Sequence, residues 1–319
     1  MRKILLASTA LVAFGTVAAN AADVTINGAF DWHYVNYDNA SSSGASNGSL
    51  VSLATDLDFT FTETTASGLT IKIGMGVSET ETDDQYLSIA HFDYGTIKLA
   101  NDNGFADSAM DDSVADEYTS LNSTNAGLQM GSHAGDLGTS TVMYTLKPMS
   151  GLTLGVSHQD GGVTTKGDNT TFSAVYSAPV ANGSVKGQFL SGSTDDTGAA
   201  SDTSGVDYQT MAIRATVGAF QLTGSQHSKS DNGNTYDLTN NMFDVMYSGI
   251  DGLSLSAYSI SGDDDKQSSY DFTQNAASAT YTIAAGLTAS VTITDTEVTN
   301  TSGTKYNDDA TVLNIKAAF

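Results

Sequence analysis

The chain has 319 residues, with 36 Asp and Glu against 12 Lys and Arg, and it contains no cysteine. The net charge of −24 argues against nucleic-acid binding, which needs a basic patch, and against docking on an anionic membrane surface. The length suits one large domain, and the lack of cysteine means that the fold does not need disulfides.

The chain begins with a segment typical of an export signal. Arg2 and Lys3 precede the apolar run 4–14, and residues 19–21 (Ala-Asn-Ala) fit a small-residue cleavage site. The apolar run is shorter than the roughly 20 residues that a membrane-spanning helix needs. The sequence therefore predicts a cleaved signal peptide over residues 1–21 and a single exported domain over residues 22–319.

The rest of the chain repeats one unit, in which two strands joined by a tight turn are followed by a long polar segment. Glycine supplies the positive φ that these turns need. The seven predicted turns are residues 66–68, 93–95, 149–151, 180–183, 217–219, 250–252 and 284–286. The segments between them, such as 191–205, are rich in Asp, Asn, Ser and Gly and are interpreted as solvated loops.

Seven tight turns imply fourteen strands, and one further strand at each end makes sixteen. An even number places both termini on the side of the tight turns, where the first and last strands can pair. The predicted fold is therefore all-β, a 16-stranded antiparallel transmembrane β-barrel. The strands are predicted to begin near residues 23, 51, 69, 85, 96, 139, 152, 169, 184, 207, 220, 238, 253, 269, 287 and 307.

Side-chain alternation predicts which face of each strand meets lipid. The cations in predicted strands all fall on the polar face, opposite apolar residues such as Ile97 and Leu99; they are Lys72, Lys98, Lys147, Lys186, Arg214 and Lys316. A cation facing hydrocarbon costs roughly 2–4 kcal/mol at the bilayer midplane, so the polar face is predicted to line a wet lumen. The same parity places four acids there: Asp31, Asp56, Asp58 and Asp244.

Some strands break the alternation. Apolar residues change parity between Leu255 and Tyr258, and again between Phe272 and Ala279. We interpret each change as a β-bulge or as the point where the strand leaves the membrane. In strand 85–92 two apolar sets compete for the outer face. The alternative fold, a soluble sandwich or β-solenoid, would lack the regular exchange of tight turns and long loops.

Several segments together carry a family resemblance: the leader followed by ADVTINGAF (22–30), FDYGTIKLANDN (92–103), STVMYTLKPMSGLTLGVS (140–157) and the terminal Phe319. The chain resembles the trimeric general-diffusion porins of the Gram-negative outer membrane, especially the alphaproteobacterial type. The resemblance implies short periplasmic turns, long extracellular loops, a homotrimer in outer-membrane lipid and lipopolysaccharide, and no enzymatic activity. Small hydrophilic solutes and ions would diffuse through passively.

In that family the loop after the fifth strand folds into the barrel and narrows it. The matching segment here is 101–122, with the acids Asp102, Asp107, Asp111, Asp112, Asp116 and Glu117. A long structureless loop in a compact fold usually has a function. The alternative is a solvated outer loop, and the apolar stretch 127–130 leaves the end of the loop open.

The wall opposite this loop is predicted to present Lys72, Lys98 and Arg214 to the pore. Rings of charged side chains set the ion preference of a channel. The family's constriction has a cluster of arginines, whereas Arg214 is the only arginine here after the leader. Acid therefore dominates, and a preference for cations is predicted.

Phe319 after alternating apolar residues resembles the signal read by the outer-membrane assembly machinery; the alternative is an ordinary last outward residue. No cofactor and no catalytic group are expected. The acidic run 262–266 and the pair Asp111/Asp112 have oxygen ligands that suit Ca²⁺, although solvated acid is the simpler interpretation. Two other functions stay open: a substrate-specific channel, which needs a binding site along the lumen, and a structural or adhesive barrel with a plugged lumen.

Overall fold

The computed structural model describes residues 23–39, 48–77, 82–91, 93–101, 140–160, 167–195, 205–231, 237–266, 271–299 and 303–319. These residues form sixteen antiparallel strands, each paired with its neighbours in the chain, and pairing of the first with the last closes the barrel. The strands are β1 (Asp23–Asn39), β2 (Gly48–Thr64), β3 (Thr70–Val77), β4 (Thr82–His91), β5 (Gly95–Asn101), β6 (Ser140–Met149), β7 (Leu152–Gln159), β8 (Asn169–Val180), β9 (Gly183–Thr194), β10 (Val206–Val217), β11 (Phe220–Asp231), β12 (Asp237–Ile250), β13 (Leu253–Asp264), β14 (Asp271–Ala284), β15 (Leu287–Thr299) and β16 (Lys305–Ala318).

The sixteen-stranded barrel predicted from the sequence is confirmed, and every strand begins within three residues of its predicted start. The tight turns are also where the sequence places them. Six contain a glycine with positive φ, and the seventh has Asn182 at a φ of 63°. At Gly95 (φ 86°) a Cβ would lie 2.1 Å from the Thr145 carbonyl oxygen, so only glycine fits this turn.

Large exposed apolar side chains define the outer face of the wall, as the alternation predicts. Ile213 is 58% exposed, and Ile73, Ile97 and Ile315 project from the same face. By register the inner face carries Lys72, Lys98, Lys186, Arg214 and Lys316. The face of Lys147 is not set by parity, because the pairing of β6 with β7 shifts between Leu146 and Met149. Among the described residues no helix is long and apolar enough to cross a membrane.

The bulge interpretation of the two parity changes is wrong. The pairing of β13 with β14 is unbroken from Leu253 to Asp263, and that of β14 with β15 is unbroken from Asp271 to Thr282. The apolar side chains there turn to the inner face instead. Tyr258, Ile260, Met242 and Ala276 are buried against one another, with Phe272 packed beside them. The outer face of the same stretch carries Ser259, Ser261 and Asn275, which agrees with strands that have left the hydrocarbon there.

The barrel is closed at the seam between β1 and β16 by the last residue of the chain. The Phe319 amide donates to the Gly28 carbonyl oxygen at 3.0 Å, and the Gly28 amide donates back at 2.9 Å. A Cβ on Gly28 would lie 2.2 Å from Phe319 Cζ, so the phenyl ring lies directly over the glycine. The ring is nevertheless 79% exposed, on the lipid side of the wall.

Candidate functional site: the charged inner wall

Acidic groups line the inner face of β1 and β2. Asp31 Oδ1 accepts hydrogen bonds from His33 Nε2 at 2.6 Å and from Asn314 Nδ2, and Lys316 lies opposite Asp31 on β16. On β2, Asp56 and Asp58 occupy successive inner positions. All three predicted acids of this region therefore lie on the inner wall.

The adjoining strands carry two of the predicted cations. Lys72 on β3 and Lys98 on β5 both pair with Ser88 of β4, so they lie at one level of the wall, two strands or about 10 Å apart. Lys98 Nζ lies 5.2 Å from the centroid of the Tyr86 ring, within the range of a cation–π interaction. This part of the wall therefore combines carboxylates with ammonium groups.

A second charged group lies on β9 to β12. Lys186 pairs directly with Arg214, whose Nε donates to Thr223 Oγ1 at 3.2 Å. Asp244 pairs with Thr223, is 0% exposed, and both of its carboxylate oxygens lack a hydrogen-bond partner. Arg214 and Asp244 both pair with Thr223, so they lie in one row on the inner face. A buried carboxylate is costly unless a neighbouring charge compensates it, and Arg214 offsets part of that cost.

Neutral polar side chains tie the inner wall together between the charged groups. The Tyr208 hydroxyl donates a hydrogen bond to Asn169 Oδ1 at 2.7 Å and lies 2.5 Å from Thr171 Oγ1. On β13 to β15, Tyr258 donates to Gln274, which donates to Thr296 at 3.0 Å. These bonds join β10 to β8 across β9, and β13 to β14 to β15, and they hold the inner side chains in place.

The parity of the sequence thus places Asp31, Asp56, Asp58, Lys72, Lys98, Arg214 and Asp244 on the inner face. They form two groups on separate parts of the wall, one on β1 to β5 and one on β10 to β12. The acids of segment 101–122, from Asp102 to Glu117, lie outside the described residues, as do residues 1–21.

Three residues of this wall were not predicted as site residues, and the sequence carries only a weak signal for them. Gly74 and Gly76 occupy successive inner positions of β3, and Tyr86 projects inward beside them. Alternating glycines in IGMGV (73–77) indicate a close approach of another group. Tyr86 belongs to one of the two apolar sets that compete for the outer face of strand 85–92, and the structure assigns that face to Leu87 and Ile89.

The metal expectation is not supported by a ligand cluster. Among the described residues no group of three or more His, Asp or Glu side chains is placed to hold a metal ion. In the acidic run 262–266, Asp264 Oδ1 already accepts the backbone amides of Asp237 at 3.0 Å and Lys266 at 2.9 Å. Calcium binding there stays a prediction.

Comparison with known proteins agrees with this architecture. Residues 7–305 match the family described as Gram-negative porin. A porin structure refined at 1.8 Å resolution superposes with a TM-score of 0.69 at 16% identity, covering 93% of this chain and 100% of that one. An anion-selective porin from Comamonas acidovorans superposes with a TM-score of 0.66 at 14% identity, covering 93% of this chain and 100% of that one. The OmpT protein of Vibrio cholerae with loop L8 deleted superposes with a TM-score of 0.67 at 12% identity, covering 94% of this chain and 100% of that one. No curated protein sequence matches the chain.

The chain belongs to the Gram-negative porin family. Members of this family are outer-membrane diffusion channels and not enzymes. The closed barrel, its apolar outer face and its charged inner face are the features that such a channel needs. The protein is therefore an outer-membrane channel for the passive diffusion of small hydrophilic solutes.

Proposed function

We propose that this channel prefers cations. The described inner wall carries both acids and bases, for example Asp31 opposite Lys316, and Asp244 in the same row as Arg214. The segment after β5 adds negative charge to the channel. Residues 102–139 contain the six predicted acids from Asp102 to Glu117 and no Lys or Arg. This one-sided charge is the observation that carries the proposal, because charged side chains lining a pore set its ion preference.

The proposal requires that segment 101–122 lies inside the barrel. Its support is the resemblance to the porin family, in which the loop after the fifth strand folds into the barrel, together with the family match over residues 7–305. A 16-stranded barrel is wide enough for an aqueous channel.

The test is the reversal potential of the reconstituted channel under a KCl gradient. The double variant Asp111→Asn/Asp112→Asn removes two charges from the proposed constriction, and we expect the K⁺ preference to fall. The matched control Asp263→Asn/Asp265→Asn removes two charges from exposed positions at the far end of β13. Equal effects of the two doubles would show that overall charge, and not a constriction, sets the preference.

We further propose that the protein is exported with cleavage after residue 21 and assembles as a homotrimer through the outer-membrane assembly machinery, with Phe319 as part of the signal. The exposed ring of Phe319 at the barrel seam is accessible from the lipid side. Mass spectrometry of protein from outer membranes, with chemical cross-linking, tests cleavage and trimer together. A mature chain that begins elsewhere, or cross-linking that stops at the monomer, would refute the respective part.

A further inference from the structure

A recess of about 350 Å³ opens in the inner wall at β1 to β5, at a place that the sequence does not single out. Its polar lining groups are Asn27, Asp58, Thr60, Tyr86 and Lys98. Ligand sites in proteins are concave, have volumes of roughly 300–1,000 Å³, and contain a few convergent polar groups. The recess is therefore of the size expected for a small solute.

Two glycines create the recess. Gly76 pairs with Asp58 and Gly74 pairs with Thr60, so the floor between β2 and β4 is bare backbone. A Cβ on Gly74 would lie 2.1 Å from Tyr86 Cε1, which shows that the tyrosine ring rests directly on the glycine. Side chains at these two positions would fill the floor and displace the ring.

Opposite charges stand on the two sides of this floor. Asp58 on β2 makes no hydrogen bond or ion pair with any described residue, and Asn27 is its direct neighbour on β1. Lys98 is on β5, three strands away or about 14 Å along the sheet, and its ammonium lies over the Tyr86 ring on β4. The recess thus has an acidic side, an aromatic wall and a basic side.

We propose that this recess binds small zwitterions, which makes the channel selective for solutes such as amino acids. The solute's ammonium group lies against Asp58 and Asn27, its carboxylate against Lys98, and its carbon chain against the Tyr86 ring. Hydrogen bonds between ionised groups are about twice as strong as neutral ones. A solute with one charge gains only one of them and faces a repelling charge on the other side. This inference rests on the proposed open channel, since the recess is reached through the lumen.

Equilibrium binding to the full-length mature protein in detergent tests the proposal without requiring conduction. Saturation-transfer NMR titrations compare β-alanine with propionate and n-propylammonium, which each retain one of its two charges. We expect β-alanine to bind at least about tenfold more tightly than either. Asp58→Asn and Lys98→Gln should each raise its dissociation constant about tenfold, equivalent to about 1.4 kcal/mol.

The chain offers a matched control for each variant. Asp56→Asn removes a negative charge from the same strand as Asp58, and Lys72→Gln removes a positive charge at the same level of the wall as Lys98. Neither residue lines the recess. Because Asp56 and Lys72 belong to the charged inner wall but do not line the recess, we expect them to change the dissociation constant of β-alanine less than the recess variants do. Retention of the heat-modifiable folded form in gels confirms that each variant folds. If one recess variant does not fold, the variant at the other end of the recess still tests the proposal.

The possible outcomes are distinct. Equal binding of propionate and β-alanine, or equal losses in the recess and control variants, would overturn the zwitterion site and indicate general lumen electrostatics. Conductance without β-alanine binding would overturn the recess alone. Binding with the predicted variant pattern in a protein that conducts no ions would support the recess and refute the open channel.

Discussion

Moving a lysine by one residue along β10 should separate the two faces of the barrel energetically. Ile213 lies near the middle of this strand on the outer face, between Gly187 of β9 and Gly224 of β11. Because glycine has no side chain, neither neighbour can shield a lysine placed at 213. Ile213→Lys should therefore cost about 2–4 kcal/mol, the range for a cation at the midplane of the lipid face. The unfolding equilibrium constant would rise roughly 30- to 700-fold.

The control is Ala212→Lys, which puts the same charge on the inner face between Gln188 and Ser225. There the ammonium group meets polar side chains, and we expect a change below about 1 kcal/mol. Urea unfolding in lipid vesicles measures both values, with Trp32, the only tryptophan, as the fluorescent reporter. Equal costs at 212 and 213 would refute the assignment of the faces.

Three further predictions concern stability, each measured by the same unfolding assay. Gly28→Ala should cost about 1–3 kcal/mol because the new Cβ overlaps Phe319, whereas Gly187→Ala, with open space around it, should be neutral; equal losses would refute the seam contact. Tyr208→Phe should cost about 1–3 kcal/mol because Asn169 Oδ1 keeps only the weak 3.4 Å bond from Thr171, and an unchanged midpoint would show that the network contributes nothing. Lys305→Gln should leave the unfolding midpoint nearly unchanged although the Lys305 ammonium lies 2.6 Å from Glu297, since both groups are well exposed; a clear fall in the midpoint would contradict this.

The period-two pattern of this chain was sufficient to predict the strands and the side of the wall that seven of the predicted charged site residues occupy. Lys72, Lys98 and Arg214 alternate with large apolar residues, and lipid permits only one arrangement of such a strand. The turns were equally predictable, because glycine at positions such as Gly95 and Gly252 meets a backbone requirement.

The pattern failed where apolar residues face inward. Tyr258, Ile260 and Phe272 pack on the inner wall, so the rule that apolar side chains mark the lipid face misassigns their parity. The recess was hidden for another reason. It depends on the pairing of Asp58 with Gly76 and on the ring of Tyr86 lying over Gly74. The register between strands cannot be read from the sequence of any single strand.

The central claim is that this barrel encloses an open, charged, water-filled lumen. Its most direct test is the current through the purified mature protein in a planar bilayer with symmetric KCl, followed by a KCl gradient. The account predicts stable conductance steps and a reversal potential that favours K⁺. A Cl⁻ preference would contradict the proposed role of the acidic segment while leaving the channel intact. A folded barrel that inserts without conductance would contradict the claim itself.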